Sequence, residues 1–273
     1  MTVHEQFAKF SNDTAGLERI FRFFQSCVQI IVAYRSTFQT LGGLGYPFTL
    51  CTLPKRSALL VLQQRLDLAR RYIRVFRFLS VFQQSRRLLL RREHAIAVQE
   101  NATDASKSDR KVEASSSTPS SPSPQRVAKA EEWLDVLGLT LTGMYLVIES
   151  STIIDYMQID GLQVWGPDRY LAINVEAQRF WFLALLCAVL SGLLRIRGLF
   201  GANEGHPSGG RPHTLGRLVR GVVTNAADIV LPGVIVGWLH VSPGVVALVM
   251  CATTLSTSLD IWERCGSEIS GPK

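Results

Sequence analysis

Arginine is the residue type whose spacing in this chain most clearly indicates chemistry, and the pattern lies in residues 57–94. This stretch contains no Gly or Pro and is rich in Leu, Arg, Gln and Ala, which favour a helix. At about 100° per residue, its polar side chains fall on one narrow face. That face carries Gln63, Asp67, Arg70, Arg74 and Arg77. Guanidinium groups bind phosphate oxygens, so the pattern predicts an anionic partner such as a lipid surface.

The opposite face of this helix is wide and apolar. Residues 59–79 would span roughly 30 Å as a helix, which is enough to cross a bilayer. They include five arginines, and an arginine costs roughly 2.5–3.5 kcal/mol at the bilayer centre. We therefore expect the helix to lie in the membrane interface; a soluble-core helix with a solvated charged face is the alternative. The predicted lipid-binding residues are Arg65, Arg70, Arg71, Arg74, Arg77, Ile73, Phe76 and Leu79.

Charge and hydropathy divide the 273-residue chain unevenly. The formal net charge is +7. Residues 1–92 hold 15 Lys and Arg against 4 Asp and Glu, whereas residues 93–273 hold 14 against 18. The mean hydropathy of +0.16 is high for a soluble domain. A basic N-terminal part suits an anionic membrane or a nucleic acid, and the apolar character of its basic helix favours lipid.

Composition predicts three segments. The first, residues 1–94, begins with a helix over residues 15–38, after a turn-prone Ser-Asn-Asp-Thr sequence that supplies a cap. Residues 95–130 are rich in Ser, Pro and charge and contain no aromatic residue, which predicts a disordered linker. Residues 131–268 are mostly apolar, which predicts membrane-embedded helices. The expected fold is therefore an all-α membrane protein.

The C-terminal segment contains the strongest transmembrane signal. Between Asp228 and Asp260 the only ionisable side chain is His240, although proline and glycine interrupt the run. It is either one kinked span or two shorter helices that turn near His240. An apolar run at residues 180–194 is short for a span, but the flanking arginines can lengthen it. Two pairs of small residues four apart predict close helix packing within one chain: Gly233 with Gly237, and Ala188 with Gly192.

Motifs for catalysis and for metal binding are missing from the sequence. It contains no GxSxG, HExxH, Walker loop or paired-cysteine zinc spacing. We therefore expect no enzymatic activity, no cofactor and no metal. Glu149, Asp155 and His240 lie in or near apolar segments, where hydrogen bonding between helices is the expected role. No recognised nucleic-acid-binding module surrounds the arginines, so we expect no nucleic-acid partner.

Several sequence blocks in a specific order resemble the peroxin-11 family, and three of them, residues 145–155, 164–167 and 178–182, resemble its fungal C-type branch. Residues 68–79 (LARRYIRVFRFL) resemble the amphipathic block of the family, and residues 16–24 (GLERIFRFF) resemble its N-terminal helix. The remaining blocks are residues 145–155 (YLVIESSTIID), 164–167 (VWGP), 178–182 (QRFWF) and the closing apolar segment 225–262.

The resemblance implies an integral protein of the peroxisomal membrane that elongates this membrane and promotes peroxisome proliferation and fission. It also implies homo-oligomers and contact with a fission adaptor and a dynamin-like GTPase. The residues themselves indicate a mechanism, in which the apolar face of residues 59–79 enters one leaflet and curves it. A membrane pore or metabolite channel built from the C-terminal helices is the alternative function.

The apolar C-terminal segment leads to a prediction about anchoring. We expect the protein to stay in membranes after an alkaline carbonate wash, because residues 229–259 are long and almost free of charge. Deleting residues 225–262 should release much of the protein, as measured by immunoblot of pellet and supernatant. Complete release of the intact chain would contradict integral insertion.

Overall fold

The computed structural model describes residues 3–38, 55–107, 124–159, 161–201 and 211–269, and these residues contain helices but no strand. The prediction of an all-α protein is therefore confirmed. The helices, numbered in chain order, are α1 (Val3–Asn12), α2 (Thr14–Ala33), α3 (Arg56–Arg74), α4 (Arg77–Lys107), α5 (Pro124–Ser151), α6 (Ile153–Tyr156), α7 (Gly166–Gly201), α8 (Arg211–Asp228), α9 (Val230–Val236) and α10 (Pro243–Ile269).

Helix α2 begins at the predicted cap. The carboxylate of Asp13 accepts hydrogen bonds from the backbone N–H groups of Ala15, at 2.7 Å, and Gly16, at 3.4 Å. One side chain thus satisfies two of the donors that the first turn of a helix leaves unpaired. The helix predicted over residues 15–38 is observed as α2, with one more helical turn at residues 35–38.

The stretch predicted as one helix over residues 57–94 is divided into α3 and α4. The helical hydrogen-bond pattern changes at Val75 and Phe76. There the N–H of Val75 bonds to the carbonyl of Tyr72, three residues back, at 3.3 Å. The hydroxyl of Ser150, on α5, donates to the carbonyl oxygen of Val75 at 3.2 Å. A side chain that inserts into a helical ladder is a recognised cause of a break, and the sequence of α3 itself gives no sign of it.

Helical backbone covers both ends of the predicted linker, because α4 continues to Lys107 and α5 begins at Pro124. Residues 108–123, the middle of the linker, lie outside the described residues. The division of the chain at residues 94 and 130 stays a prediction.

Among the described residues, four helical stretches are long and apolar enough to cross a membrane, judged by length and composition: residues 130–151, 169–200, 215–236 and 243–269. The run at 180–194, which looked short, is the middle of a 32-residue stretch. The segment at 229–259 forms two helices, and His240 lies in the turn between α9 and α10. Of the two predicted arrangements, the one with a turn near His240 is confirmed.

These four stretches pack against one another and against the N-terminal helices. Helix α5 lies along α7 and is covered by α4, while α10 packs against α2, which also contacts α3. The rings of Tyr145 and Trp181 stack with centroids 5.4 Å apart between α5 and α7. Only 22–28% of each apolar stretch is buried inside the chain, so most of the apolar surface faces outward. An outward apolar surface of this extent marks a membrane-interaction surface.

A glycine allows a close contact between α7 and α8. At Gly192 of α7, an added Cβ would collide with Val222 of α8. Helix packing by the pair Ala188 and Gly192 stays a prediction. Gly237 instead ends α9 in the left-handed conformation, with φ of 84°, and no atom lies within 4 Å of a Cβ placed on it. A Cβ placed on Gly233 would lie 2.6 Å from Cδ1 of Leu239, which follows the end of α9. The pair Gly233 and Gly237 therefore shapes a turn rather than a contact between separate helices.

Gly143 provides a test of how tightly α4 packs on α5. A Cβ at this position would lie 2.6 Å from the ring of Phe82. We expect Gly143→Ala to lower the thermal unfolding midpoint in detergent, because overpacking costs about 1–3 kcal/mol. Gly221→Ala is the matched control, since nothing lies within 4 Å of its Cβ. It should be neutral or stabilising, and adding Phe82→Leu should restore the stability of Gly143→Ala.

Candidate functional site

Buried charged side chains from α2, α3, α5 and α8 meet at the centre of the molecule. We call this group the arginine network. Its members are Glu18 and Arg22 of α2, Asp67, Arg70, Arg71 and Arg74 of α3, Glu149 of α5 and Asp228 of α8.

Arg70 joins α3 to α2. Its Nε and Nη2 atoms donate to Oε1 of Glu18 at 3.0 and 2.9 Å, and its Nη1 donates to Oε1 of Gln25 at 2.5 Å. Glu18 is 2% exposed and Arg70 is 6% exposed. The spacing of seven residues between Glu18 and Gln25 places both acceptors on the same side of α2. Two nitrogens on one oxygen fix the orientation of the guanidinium as well as its charge partner.

Arg22 joins α2 to the C-terminal helices. Its Nη2 donates to Oδ1 of Asp228 at 2.6 Å and to the hydroxyl of Thr253 at 3.3 Å. Arg22 is 3% exposed. Since Asp228 ends α8 and Thr253 lies in α10, one guanidinium connects the N-terminal region to two apolar stretches that are distant in sequence.

The other end of α3 contacts α5. Arg74 donates to Oε1 of Glu149 at 2.8 Å, and the same oxygen accepts from the hydroxyl of Tyr145 at 2.7 Å. Arg71 is paired with Asp67 at 3.0 Å and lies over the ring of Tyr156, 4.4 Å from its centroid. The role expected for Glu149, hydrogen bonding between helices, is thus confirmed.

Asp155 also has the expected kind of role. Its Oδ1 accepts from the backbone N–H groups of Trp165, at 2.9 Å, and Gly166, at 3.1 Å, where α7 begins. A carboxylate at this end of a helix satisfies unpaired donors and interacts favourably with the helix dipole.

The electrostatics of the network favour its charged form. Burial by itself would raise the pKa of Glu18, but the guanidinium groups of Arg70 and Arg19, and more weakly Arg74 and Arg22, lower this pKa well below its usual range. The pKa of Asp67 is lowered as well, because Arg71 and Arg70 outweigh the effect of burial. Both carboxylates are therefore ionised at neutral pH and match the arginine charges.

The residues predicted to bind lipid fall into two groups, one inside the molecule and one at its surface. Arg70, Arg71 and Arg74 lie inside the molecule in ion pairs, so the polar face of α3 is turned inward rather than toward solvent. Arg65 and Arg77 are exposed, Ile73 is half-buried, and Phe76 and Leu79 are exposed. Lipid binding by these eight residues stays a prediction.

The sequence did not identify the partners of the inward-facing arginines. Glu18 and Arg22 look like isolated charges in an apolar helix, and Asp228 looks like the boundary of an apolar run. The available signal was that charges within apolar helices are costly unless they are paired. No group of three His, Cys, Asp or Glu side chains that could hold a metal ion occurs among the described residues.

Three features define the class of this protein. The described residues form four apolar stretches of membrane-spanning length, most of the apolar surface faces outward, and charged side chains lie inside. It is a helical membrane protein with its polar groups inside and its apolar groups outside.

Comparison with known proteins gives the family. The family described as Peroxisomal biogenesis factor 11 (PEX11) matches residues 112–262, which is 151 of the 273 residues. The chain belongs to this family, and it is therefore a peroxisomal membrane protein of peroxisome proliferation. Neither the curated proteins nor the solved structures contain a significant match.

The match confirms the resemblance to the peroxin-11 family for the C-terminal part of the chain. The blocks at residues 16–24 and 68–79 lie before the matched range, so the likeness of those two blocks stays a prediction. The assignment to the fungal C-type branch also stays a prediction.

The pair formed by Glu18 and Arg70 can be tested directly. We expect Glu18→Gln to destabilise the protein by about 3–5 kcal/mol, because it leaves Arg70 charged and buried without its partner. The thermal unfolding midpoint in detergent measures this effect. Glu132→Gln is the control; Glu132 is an exposed glutamate whose contact with Arg92 is 3.7 Å long, and it should change stability by less than about 1 kcal/mol.

Two further measurements separate charge pairing from general loss of packing. The double variant Glu18→Gln with Arg70→Gln should be more stable than Glu18→Gln alone, since no single charge is stranded. Because folding lowers the pKa of Glu18, its contribution is complete above the ordinary value of 4.5 and is lost as the pH falls below it. Wild-type stability should therefore decline in acid more steeply than that of Glu18→Gln, and parallel pH profiles would contradict the assignment.

Proposed function

We propose that this protein curves and elongates the peroxisomal membrane by inserting the apolar face of residues 59–79 into one leaflet. The supporting observation is the orientation of α3. Arg70, Arg71 and Arg74 are held inward by ion pairs, and several apolar side chains on the other side are exposed, although Leu59 and Leu68 are buried. The exposed side chains of this face are Leu60, Val61, Leu62, Tyr72, Phe76 and Leu79.

Phe76 lies at the most exposed point of this face. It is 74% exposed and sits at the break between α3 and α4, next to the exposed Leu79. Moving a large apolar side chain from water into an apolar environment yields about 1.5–3 kcal/mol. A helix that places several such side chains in one leaflet, while the other leaflet is unchanged, expands that leaflet and favours curvature.

The inward ion pairs give this mechanism a rigid support. Glu18 of α2 and Glu149 of α5 hold α3 by its arginine side, so the outward face is presented as a fixed surface. Exposed Arg65 and Arg77 flank the apolar face, and basic residues near an anionic membrane surface contribute about 1 kcal/mol each. Anionic lipid is therefore the proposed ligand of this surface.

Assembly and fission partners follow from the family resemblance rather than from the geometry. We propose that the protein forms homo-oligomers and that it contacts a fission adaptor and a dynamin-like GTPase after the membrane has been elongated. The outward apolar helices are compatible with contacts between copies in the bilayer.

A metabolite channel is the alternative function. The observation that favours it is a cavity of about 610 Å³ between the N-terminal and the apolar helices, with several arginines in its wall. Most of those arginines are paired with carboxylates of the chain. Membrane elongation is the better-supported proposal, because it uses an apolar surface that the described residues leave exposed.

Reconstitution of the full chain into anionic vesicles tests the proposal. The double variant Phe76→Ser with Leu79→Ser should abolish tubulation seen by negative-stain electron microscopy, because the apolar wedge is lost while the ion pairs remain. The matched control, Phe76→Leu with Leu79→Phe, keeps an apolar face and should tubulate as the wild type does.

Incorporation into vesicles must be equal for all three chains, which flotation through a density gradient measures. Undiminished tubulation by the serine variant would overturn the wedge mechanism, and the channel would then be the leading function.

A further inference from the structure

A cavity of about 610 Å³ lies between the arginine network and the apolar helices. Its charged part is lined by residues of α2, α3, α4 and α7, namely Arg19, Arg22, Arg70, Arg74, Arg77 and Arg195. Arg19 and Arg22 are three residues apart on α2, and Arg70 and Arg74 are four apart on α3, so each helix presents a pair of guanidinium groups on one side.

Positive charge exceeds negative charge around this cavity. Among the described residues, six arginines line it, but only the carboxylates of Glu18, Asp135 and Asp228 do so. Glu149, which pairs with Arg74, adds one more negative charge behind the wall. The Nε atom of Arg19 lies 3.5 Å from Oε2 of Glu18, and the other oxygen of Glu18 is hydrogen bonded to Arg70, so one carboxylate serves two guanidinium groups. The cavity therefore has a net positive charge that the described residues do not neutralise.

Some donors in the wall are unused. In the part of the chain that the structure describes, the Nε atoms of Arg19, Arg22 and Arg74 are buried and have no hydrogen-bond partner. Arg22 as a whole residue is only 3% exposed. A buried donor without a partner is costly, about 1–3 kcal/mol. Among the described residues no hydrogen-bond acceptor reaches these three donors, and each donor belongs to an arginine that lines the cavity.

The remaining wall of the cavity is apolar. Leu134 and Leu139 of α5 and Trp181 and Leu185 of α7 contribute to it. A small free anion would leave this part of the cavity unfilled. A ligand with an anionic head and an aliphatic tail would match both parts.

We propose that this cavity binds an anionic amphiphile, with its phosphate or carboxylate oxygens at Arg19, Arg22 and Arg74 and its aliphatic chain along Leu134, Trp181 and Leu185. Arginine suits such a head because its fork of N–H groups matches the oxygens of phosphate and carboxylate. This binding site requires neither membrane curvature nor transport through the bundle.

The test uses the full chain in nanodiscs of zwitterionic phosphatidylcholine, with dodecyl phosphate, inorganic phosphate and dodecanol as probes. The rise of the thermal unfolding midpoint with probe concentration gives Kd, because a ligand that binds only the folded state stabilises it. Dodecyl phosphate should bind at least about tenfold more tightly than inorganic phosphate, a ratio that corresponds to about 1.4 kcal/mol. Dodecanol should give no shift at the same concentrations.

Arg19→Gln tests the head of the site. The substitution leaves Glu18 paired with Arg70, so the fold should persist, and the affinity for dodecyl phosphate should fall about tenfold, as expected for a lost charged hydrogen bond. Arg86→Gln removes one exposed arginine of α4 that is not in the cavity wall, and it should bind as the wild type does.

Leu185→Trp tests the tail of the site. The larger side chain should fill the apolar part, weaken dodecyl phosphate and leave inorganic phosphate unchanged.

Three results would overturn the proposal. The first is equal binding of dodecanol and dodecyl phosphate, which would exclude recognition of the head. The second is equal binding of inorganic phosphate and dodecyl phosphate, which would exclude a site for the tail. The third is the same loss of affinity in Arg19→Gln and Arg86→Gln, which would show that affinity depends on the net charge of the protein and not on Arg19 in the cavity wall.

Discussion

The pairing of buried charges is the interaction on which the rest of this structure depends. Glu18 with Arg70 joins α2 to α3, Arg74 with Glu149 joins α3 to α5, and Arg22 with Asp228 joins α2 to α8. Removing charges from water costs several kcal/mol for each ion, so such contacts persist only when every charge has a partner with good geometry. This requirement fixes the N-terminal helices against the apolar ones.

The same requirement explains why the molecule has its polar groups inside and its apolar groups outside. Once the arginines of α3 are directed toward carboxylates of neighbouring helices, the opposite side of α3 faces outward. Phe76 and Leu79 are exposed for this reason. In water such a surface is unfavourable, whereas beside acyl chains it is stable. The outward apolar side of α3 is therefore a consequence of contacts made in the interior of the molecule.

The arginines of this chain thus have two environments with different consequences. Those with a carboxylate partner hold helices together, as Arg70 does. Arg19 has only part of a partner, because its carboxylate is also bound by Arg70. A structural network of paired charges is neutral without a ligand. The cavity instead keeps excess positive charge beside apolar walls, and this difference is what distinguishes a binding site from such a network.

The sequence by itself determined the helical class, a capping sequence at residues 11–14 and the apolar C-terminal stretches, because all three depend on neighbours within a few residues. It also indicated that residues 57–94 form amphipathic helix, and the periodicity of Arg70, Arg74 and Phe76 was sufficient for that. Only the tertiary structure decided which face turns inward, where α3 ends and α4 begins, and which carboxylate each arginine meets. Those features depend on residues 50 to 230 positions apart, such as Arg22 with Asp228 or Val75 with Ser150, and periodicity contains no information about contacts at that separation.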